Sequence, residues 1–414
     1  MWKVTLRQLM TNIKKNAWLL VELFFVTIIV WYAIDFLWVI HHKKSESTGI
    51  NTEHVYQLTV GIHPDRWKMP SDKDSLDIVK VRPQMEIRKI LADDPRIESA
   101  AFYIGTDPIS SGMMFQGYTI DDKEKVIANI RYVTPEYFDV LQVDIQDGKV
   151  GEWSNEFPQN AVLSEDLAMK LFGKANVIGE EFHDYYVQEA KYKVVAVSAP
   201  MKFDYFREYE PFIYTPLPQI RLRYQNPIYV FRVKASEDNA GFAEEFFEEM
   251  RDKLAVGPFY LEEVKAIDDV EQEYLNDLNI PRYISIATGV VLFFLFIVFL
   301  GVLGTYWFQI ERRRNEVGIR MALGSSRSML HRYLIRESTL LLLMAYIPAF
   351  IVCVLLAHFG ITYTFKECMP YTWGRFAWAQ LLTFITLFII VVLGTWVPAY
   401  RASKLNPVDA LSEE

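Results

Sequence analysis

Three long runs without a charged residue constrain this chain more than any other feature of its sequence. Residues 283–309, 338–365 and 376–400 contain no Asp, Glu, Lys or Arg. Each run exceeds the roughly 20 residues that an α-helix needs to cross about 30 Å of hydrocarbon. A wholly soluble fold would have to bury such helices completely within 414 residues. The sequence therefore predicts three membrane helices, at 283–309, 338–360 and 376–398.

Residues 17–40 form a fourth apolar stretch, which differs from the others because it carries two acidic residues. Glu22 and Asp35 lie toward its ends. A central charge costs about 2.5 to 3.5 kcal/mol on an insertion scale, whereas each Leu, Ile, Phe or Val gains about 0.3 to 0.6 kcal/mol. The alternative is a cleaved signal peptide, whose apolar core spans about 7 to 15 residues before a small-residue cleavage site. The polar sequence HHKK follows here, which favours an uncleaved membrane helix.

The distribution of basic residues indicates the orientation of these helices. Four Lys and Arg residues precede the first helix, seven Arg residues lie between the second and third, and Arg401 and Lys404 follow the fourth. Segments rich in Lys and Arg stay in the cytoplasm. Residues 41–280 are then expected in the periplasm, and they carry 27 Lys and Arg against 43 Asp and Glu. The formal net charge of −9 averages this acidic segment with a basic remainder, and it argues against a nucleic-acid binder.

The first 16 residues have the pattern of an amphipathic helix. Trp2, Leu6, Leu9 and Ile13 recur near helical spacing while basic residues occupy other faces, as in a helix that lies in the headgroup layer. An unstructured basic anchor is the alternative. The predicted segments are, in order, an amphipathic N-terminal helix (1–16), the first membrane helix (17–40), a periplasmic core domain (41–280), the second membrane helix (283–309), a cytoplasmic coupling region (311–337), the third membrane helix (338–360), a short external loop (361–375), the fourth membrane helix (376–398) and a cytoplasmic tail (399–414).

The segment 41–280 has the residue pattern of an α+β domain. Strand, helix and strand candidates follow each other at 54–60, 83–94 and 96–105, and again at 229–235, 240–254 and 259–267. Two such units around an insertion suit a split ferredoxin-like lobe. We place the inserted second lobe at about 133–215, where Ser164 is suited to cap a helix that ends at Gly173. The predicted fold class is a membrane protein with four transmembrane helices and a large extracytoplasmic α+β domain between helices 1 and 2.

Motifs of known catalytic or metal chemistry are absent from the sequence. It contains no GxxxxGK[ST] phosphate-binding loop, no HExxH, no GxSxG and no cysteine-rich metal pattern. His41 and His42 beside two lysines could form a metal pair, but a solvated cluster at the membrane edge is the simpler interpretation. Glu22 and Asp35 could indicate a proton relay, yet they lie about 20 Å apart along a helix. We therefore predict no catalytic, cofactor-binding or metal-binding residue on this chain.

Five stretches of the sequence carry a resemblance to a known permease family. VTPEYFDVL (133–141), AVLSEDLAMKLFG (161–173) and YKVVAV (192–197) resemble the periplasmic core domain of permeases of the macrolide-exporter type. RRRNEVGIRMALGSSRSMLHRYLIRES (312–338) is similar to the signature of the wider family, which includes cell-division and lipoprotein-releasing permeases. PAYRASKLNPVDAL (398–411) resembles that family's terminal motif. The chain is identified as a member of this family of ATP-binding cassette (ABC) transporter permeases.

The cytoplasmic stretch has the pattern of a coupling element, called the handle below, through which a separate motor subunit could move the membrane helices. In EVGIRMALG, the apolar Val317, Met321 and Leu323 can face the membrane or a partner groove, and Glu316 and Arg320 can pair on the surface. The alternative is that the arginines only retain this loop inside, which explains the charge but not the glycine-bounded pattern. The predicted ATPase-coupling residues are Glu316, Val317, Gly318, Ile319, Arg320, Met321, Ala322, Leu323 and Gly324. The residues of the terminal motif are Pro398, Arg401, Ala402, Pro407, Val408, Ala410 and Leu411.

The resemblance also implies partners and a mechanism. A separate ABC ATPase subunit would bind ATP and Mg²⁺, so this chain would need no cofactor of its own. A second permease chain, identical or different, would stand beside it in the inner membrane, in contact with membrane lipid. ATP-driven closure of the motors would move the handle, and the first two membrane helices with a polar stalk at 262–280 would relay this mechanotransmission to the periplasm. One departure is helix 3, which begins STLLLLMAYIPAF where the family usually has glycines.

The expected function is export of a drug, peptide or other periplasmic substrate through a membrane-fusion adaptor and an outer-membrane channel. Lipoprotein release or regulation of a cell-wall hydrolase by a permease of the same fold is one alternative. The other is a membrane-tethered binding or sensing protein without a motor.

Overall fold

The computed structural model of the protein describes two compact units. One is helical and contains residues 13–44 and the described residues from Ile280 onward, and the other, Ser45–Asn279, is an α+β domain. Most of the helix predicted for residues 1–16 lies outside the described residues. The described residues are 13–65, 72–106, 113–120, 124–151, 153–154, 156, 158–202, 206–312, 327–360 and 371–403.

Helices of very different length occur in the two units. In chain order they are α1 (Ile13–Ser45), α2 (Lys73–Leu76), a π-helical turn (Asp77–Val81), α3 (Arg82–Ala92), α4 (Tyr137–Val140), α5 (Glu165–Phe172), α6 (Gln219–Tyr224), α7 (Phe242–Met250), α8 (Ile267–Asp277), α9 (Ile280–Arg312), α10 (Arg327–His358) and α11 (Trp373–Ser403). The helices α1, α9, α10 and α11 are each long and apolar enough to cross a membrane, which confirms the four predicted membrane helices.

The membrane helices are longer than the uncharged runs, because each helix also includes some of the polar residues that flank its run. Helix α9, for example, covers 33 residues from Ile280 to Arg312. Pro281 lies in its first turn, where the missing backbone N–H would have no intrahelical partner in any case. The residue before the helix, Asn279, has a left-handed backbone with φ of 58°, a conformation that does not continue the preceding helix into α9.

Eleven strands form the sheet of the α+β domain within the described residues. They are β1 (Val55–Ile62), β2 (Ile97–Gly105), β3 (Phe115–Thr119), β4 (Val126–Val133), β5 (Ile145–Gly148), β6 (Gln159–Ser164), β7 (Glu181–Asp184), β8 (Lys191–Ser198), β9 (Phe212–Pro216), β10 (Ile228–Val233) and β11 (Phe259–Ala266).

The first lobe of the domain has the split ferredoxin-like topology that the sequence predicts. Its four strands lie in the order β11-β1-β10-β2, and all neighbours are antiparallel. Helix α3 connects β1 to β2 and α7 connects β10 to β11. Both helices bury apolar residues at helical spacing, Ile87 and Leu91 in α3 and Phe242, Phe246 and Met250 in α7. These side chains belong to one core together with the inward residues of the strands.

Between α3 and β2, an ion pair makes the stability of this lobe sensitive to acid. Two nitrogens of the Arg96 guanidinium lie 3.0 and 2.9 Å from the carboxylate of Asp94, and the backbone N–H of Arg96 donates to it as well. Burial alone would raise the pKa of Asp94, but the hydrogen bonds from Arg96 outweigh it and leave this pKa below its usual value of 3.8. A depressed carboxyl pKa stabilises the fold above the unfolded-state value, and the gain is lost as pH falls through the folded-state value.

The urea midpoint of the full-length chain in detergent is therefore expected to fall as the pH is lowered below about 3.8. An Asp94→Asn variant should start from a lower midpoint at neutral pH and show a weaker dependence on acid. Equal acid dependence in both proteins would contradict a role for this pair.

The second lobe is a closed barrel of six strands. The order β4-β3-β7-β8-β6-β9 returns to its start because β9 pairs in parallel with β4. Closure removes the unpaired edges that an open sheet would expose. The lobe begins at β3, earlier than the predicted 133, because β3 and β4 pair with each other and both belong to the ring of barrel strands.

Helix α5 of the barrel lobe ends as predicted and begins differently. Gly173 terminates it with a left-handed backbone, φ 70°, which suits glycine because it lacks a Cβ. Ser164 occupies the N-cap position, but its side chain makes no capping hydrogen bond. Its hydroxyl instead accepts the backbone N–H of Phe212 in β9 at 2.8 Å, so the predicted cap is wrong and Ser164 links two barrel strands.

Residues 46–54, which follow α1, are fastened to the sheet by a buried cation. From β10, Arg232 donates to the carbonyl oxygens of Asn51 at 2.8 Å and Glu53 at 2.6 Å. A third bond reaches the carbonyl of Val140 in α4 at 2.8 Å. Burial lowers the pKa of Arg232, and the three carbonyl dipoles compensate for part of the lost hydration.

The segment 46–54 also contains Gly49, whose backbone conformation and close neighbours leave no room for a side chain. Its φ is +85°, and an added Cβ would lie 2.5 Å from the sulfur of Met201 and 2.9 Å from the carbonyl oxygen of Pro200. We expect Gly49→Ala to cost about 1 to 3 kcal/mol of local stability, seen as faster hydrogen exchange of residues 46–54 in the full-length chain. Gly173→Ala has the same backbone strain without a clash, and Gly151→Ala has neither. Equal exchange in the Gly49 and Gly151 variants would contradict this close packing.

Candidate functional site

The predicted coupling residues Glu316–Gly324 lie outside the described residues, but the helices on both sides of them are defined. Helix α9 ends at Arg312 and α10 begins at Arg327. The candidate site is therefore the set of helix ends that flank residues 313–326. Whatever moves that segment would act first on these two helix ends.

A hydrogen bond between polar side chains links α1 to the flanking end of α9. Gln309 lies in the last turn of α9, and its Nε2 donates to Oδ1 of Asn16 in α1 at 2.6 Å. Asn16 is 1% exposed, so this bond lies within the helical unit and away from solvent. Sequence patterns contain little signal for this bond because the two residues are 293 positions apart, and each looks like an ordinary polar residue at the end of a membrane helix.

Two aromatic contacts join α11 to the helices that flank the coupling segment. The guanidinium carbon of Arg401 lies 4.5 Å from the ring centroid of Trp307 in α9, a distance at which a cation is attracted to the ring. The rings of His331 in α10 and Trp396 in α11 meet edge to face at 5.1 Å. The terminal-motif residues Pro398 and Arg401 thus lie at the end of α11, whereas Pro407, Val408, Ala410 and Leu411 lie outside the described residues.

Close helix packing supports these contacts along the length of the unit. Helices α9 and α10 both pack closely against α11. Gly394 allows the approach of α9, because an added Cβ would lie 3.0 Å from the side chain of Val302 and 3.2 Å from the carbonyl oxygen of Phe299. Small residues at such crossings are typical of membrane helices. The start of α10, the third membrane helix, lacks the glycines that are usual in the family. This is compatible with the observed packing, because Gly394, which allows the close approach to α9, lies in α11.

The two acidic residues of α1 have different surroundings. An added Cβ on Gly301 of α9 would lie 2.5 Å from a carboxylate oxygen of Glu22, so that glycine makes room for this carboxylate. Asp35 is 2% exposed and pairs with Arg375 of α11. Asp35 is thus paired with a group on another membrane helix, whereas Glu22 packs against Gly301.

Within the described residues, no group of three or more His, Cys, Asp or Glu side chains lies close enough together to hold a metal ion. Cys353 is buried and free. The sequence missed Asn16, Trp307, Gln309 and Arg375 as contact residues, although Arg375 directly precedes an uncharged run and could have been noticed for that reason.

Two family profiles match the chain in the order of its structural units. Residues 25–246 match the MacB-like periplasmic core domain, and residues 288–407 match the FtsX-like permease C-terminal family. The first match covers α1 from Phe25 and most of the α+β domain. The second covers the last three membrane helices and the segment between α9 and α10.

Curated proteins with similar sequences are macrolide export ATP-binding/permease proteins named MacB. The protein from Vibrio parahaemolyticus serotype O3:K6 is 21% identical over 336 residues, which cover 79% of this chain and 49% of that protein. The protein from Escherichia coli K12 is 24% identical over 376 residues, which cover 86% of this chain and 52% of that protein. The chain spans about half the length of the curated relatives it matches.

Two solved structures illustrate the likeness of this chain to known domains. The periplasmic region of MacB from Actinobacillus actinomycetemcomitans matches with a TM-score of 0.36 and 14% identity, covering 56% of this chain and 97% of that one. A domain of a putative permease from Porphyromonas gingivalis matches with a TM-score of 0.34 and 12% identity, covering 52% of this chain and 92% of that one.

The periplasmic core profile alone covers more than half of the chain, and the two profiles together cover most of the α+β domain and parts of all four membrane helices. The resemblance read from the sequence is therefore confirmed. The chain is a multi-pass membrane protein that belongs to the family of ABC transporter permeases with a MacB-like periplasmic core domain and an FtsX-like permease C-terminal region.

Proposed function

We propose that this chain is the permease subunit of an ABC transporter in which a separate ATPase subunit supplies the energy. In this proposal the ATPase binds ATP and Mg²⁺ and grips residues 316–324. Its movement passes through the membrane helices to the α+β domain, which acts on a drug, peptide or other periplasmic substrate. An adaptor and an outer-membrane channel would complete the export route.

The observation that carries this proposal is the continuity of the two helices that lead to the α+β domain. Helices α1 and α9 each run without interruption for 33 residues, which corresponds to about 50 Å at 1.5 Å per residue. One leads into the domain at Ser45 and the other leaves it at Ile280. The bond between Asn16 and Gln309 joins the two helices beside the coupling segment, so a push there would reach both of them.

The proposed orientation places both termini and residues 313–326 in the cytoplasm. It rests on the basic residues around these segments, together with the match of the α+β domain to a periplasmic domain family. A second permease chain is also part of the proposal. Helix α1 carries an exposed apolar stripe of Trp18, Val21, Phe25 and Tyr32, whose heptad-like spacing suits a partner helix as well as lipid.

Purification from the native membrane in mild detergent tests the proposal. We expect a subunit with a GxxxxGK[ST] motif to co-purify with the tagged chain, identified by mass spectrometry, and the preparation to hydrolyse ATP. A variant with Gly318→Asp should lose this subunit, whereas Gly151→Ala in the α+β domain should retain it. Consistent absence of any ATPase subunit would favour the tethered binding or sensing protein instead.

A second candidate, release of a lipid-bearing protein, is favoured by an apolar cavity in the helical unit. This cavity has a volume of about 500 Å³, is open on one side and is lined by side chains of α1 and α9 with one residue of α10. The lining residues are Ile28, Ile29, Trp31, Tyr32, Ala33, Phe36, Tyr283, Ile286, Ala287, Val290 and Leu356. A photo-crosslinker at Ile286 should capture an acylated protein if this candidate holds, and bulk phospholipid alone would count against it.

A further inference from the structure

A bidentate ion pair joins α1 to α11 inside the helical unit. Nε of Arg375 lies 2.9 Å from Oδ1 of Asp35, and Nη2 lies 2.5 Å from Oδ2. The side chains are 1% and 2% exposed, respectively. Two parallel bonds between a guanidinium and a carboxylate fix the orientation of both groups as well as their distance.

The position of Arg375 shows that the pair is not a by-product of helix stability. Arg375 lies in the first turn of α11, where the hydroxyl of Thr372 accepts its backbone N–H at 3.2 Å. The helix dipole disfavours a cation at this end. The arginine is therefore placed against the preference of its own helix, and Asp35 on another helix is the group that compensates for it.

The surroundings of the pair exclude water. Trp31, Cys353, Phe376 and Ala379 form a buried cluster beside it. The ring of Tyr371 lies 5.8 Å from the guanidinium carbon. In such surroundings each charge depends on the other, because neither has water to replace its partner. Separation of α1 from α11 at this level would break this charged pair in an apolar setting.

Helix α1 is held in the helical unit by side-chain contacts rather than by close approach of its backbone to another helix. In the described residues, α9 and α10 pack closely against α11, while α1 lies farther from all three. Its contacts are made by large side chains, among them Leu19, Leu23 and Trp31. Apolar contacts of this kind specify position weakly inside a bilayer, because lipid tails are equally apolar.

We propose that Asp35 and Arg375 are positioning residues that anchor α1 to α11 ten residues before α1 ends at Ser45. The anchor makes α1 follow the compact group of α9, α10 and α11, so that α1 cannot slide or rotate alone. Helix α1 continues directly into residues 46–54, which are fastened to the sheet. The anchor therefore sets the position of the chain where it enters the α+β domain. Its role in transport rests on the proposed function, but the anchoring itself is a property of the chain alone.

Spin-label distances in the full-length chain, reconstituted in lipid vesicles without any partner, test this proposal. The labels replace Tyr32 in α1 and Trp378 in α11, which are both exposed, after Cys353→Ala and Cys368→Ala remove the native thiols. A control pair at Ile347 in α10 and Ile385 in α11, also exposed, reports on packing that does not involve α1. The reference is the same labelled chain with Asp35 and Arg375 intact.

The informative variant is Asp35→Leu/Arg375→Met, which removes both charges and leaves none unpaired, so the chain is expected to fold. We expect the α1–α11 distance distribution to broaden and shift while the α10–α11 distribution stays unchanged. The exchanged pair Asp35→Arg/Arg375→Asp should restore a narrow α1–α11 distribution. An unchanged distribution in the apolar variant, failure of the exchanged pair to restore it, or equal broadening in the control pair would each overturn the proposal. Because no ATPase takes part, these outcomes leave the proposed function to its own test.

Discussion

Replacing Leu323 by Asp is expected to abolish ATP-driven transport while the partner subunit continues to hydrolyse ATP. Leu323 belongs to the apolar side predicted for EVGIRMALG, which would enter a groove on the ATPase. A carboxylate there would be buried without a partner, at a cost of about 2 to 5 kcal/mol. Since 1.4 kcal/mol corresponds to a factor of ten, the interface should weaken by more than about 20-fold. Transport and ATP hydrolysis are measured together in vesicles that contain the purified complex.

Arg320→Gln is the matched control for this variant. It changes a charge in the same segment, where the spacing predicts only a surface pair with Glu316, and such a pair is worth about 0.3 to 0.5 kcal/mol. We expect it to retain most of the transport. If Leu323→Asp transports as well as Arg320→Gln, residues 316–324 do not form the handle. Residues 313–326 lie outside the described residues, so this prediction depends on the sequence pattern and on the helix ends beside it.

Replacing Arg131 by Met should destabilise the α+β domain by about 2 to 6 kcal/mol, since it leaves two buried oxygens without their donor at a cost of about 1 to 3 kcal/mol each. Nε of Arg131 donates to the carbonyl oxygen of Thr106 at 2.5 Å, and Nη1 donates to the hydroxyl of Tyr137 at 2.5 Å. Four aromatic rings surround the guanidinium with centroids 4.9 to 5.7 Å from its carbon. They are Tyr103, Tyr137, Phe212 and Tyr214. Methionine fills part of the space but satisfies neither oxygen.

The effect should appear as a lower urea midpoint for the α+β domain of the full-length chain, measured by hydrogen exchange of β4 and β9 peptides. Arg251→Met is the control, because Arg251 is 55% exposed and makes only surface ion pairs, so its loss should cost less than about 1 kcal/mol. Arg131 lies in β4, which pairs with β2 of the first lobe and with β9 of the barrel. Similar midpoints for the two variants would show that Arg131 does not hold the lobes together.

The sequence predicted those parts of the fold that local patterns encode. Uncharged runs of 25 residues or more announce membrane helices wherever they occur. The repeated strand-helix-strand order around an insertion was enough to predict the topology of the first lobe, because that order allows few ways of pairing the strands. Gly173 was recognisable as a helix end for a similar local reason.

These local patterns do not indicate which strands or side chains that are distant in the sequence lie next to each other in the fold. The barrel closes through the parallel pairing of β4 with β9, and nothing in either strand marks the other as its neighbour. In VIANIRYV, Arg131 looks like a solvent-facing residue of a strand, although it is 1% exposed. Asp35 and Arg375 are 340 residues apart. Each could be recognised as unusual near an apolar run, but only the fold brings the two together.

A direct measurement of the central claim follows the α+β domain while a separate subunit hydrolyses ATP. The complex of this chain with its co-purified ATPase is labelled at Tyr186 and Tyr224, two exposed residues of the α+β domain. Distances between the labels of neighbouring permease chains are recorded without nucleotide and with ATP and vanadate. Our account predicts a shift that requires nucleotide and disappears in the Leu323→Asp variant. Distances that do not change with nucleotide, in a complex that hydrolyses ATP, would contradict the claim that this permease passes the motion of a motor to its α+β domain.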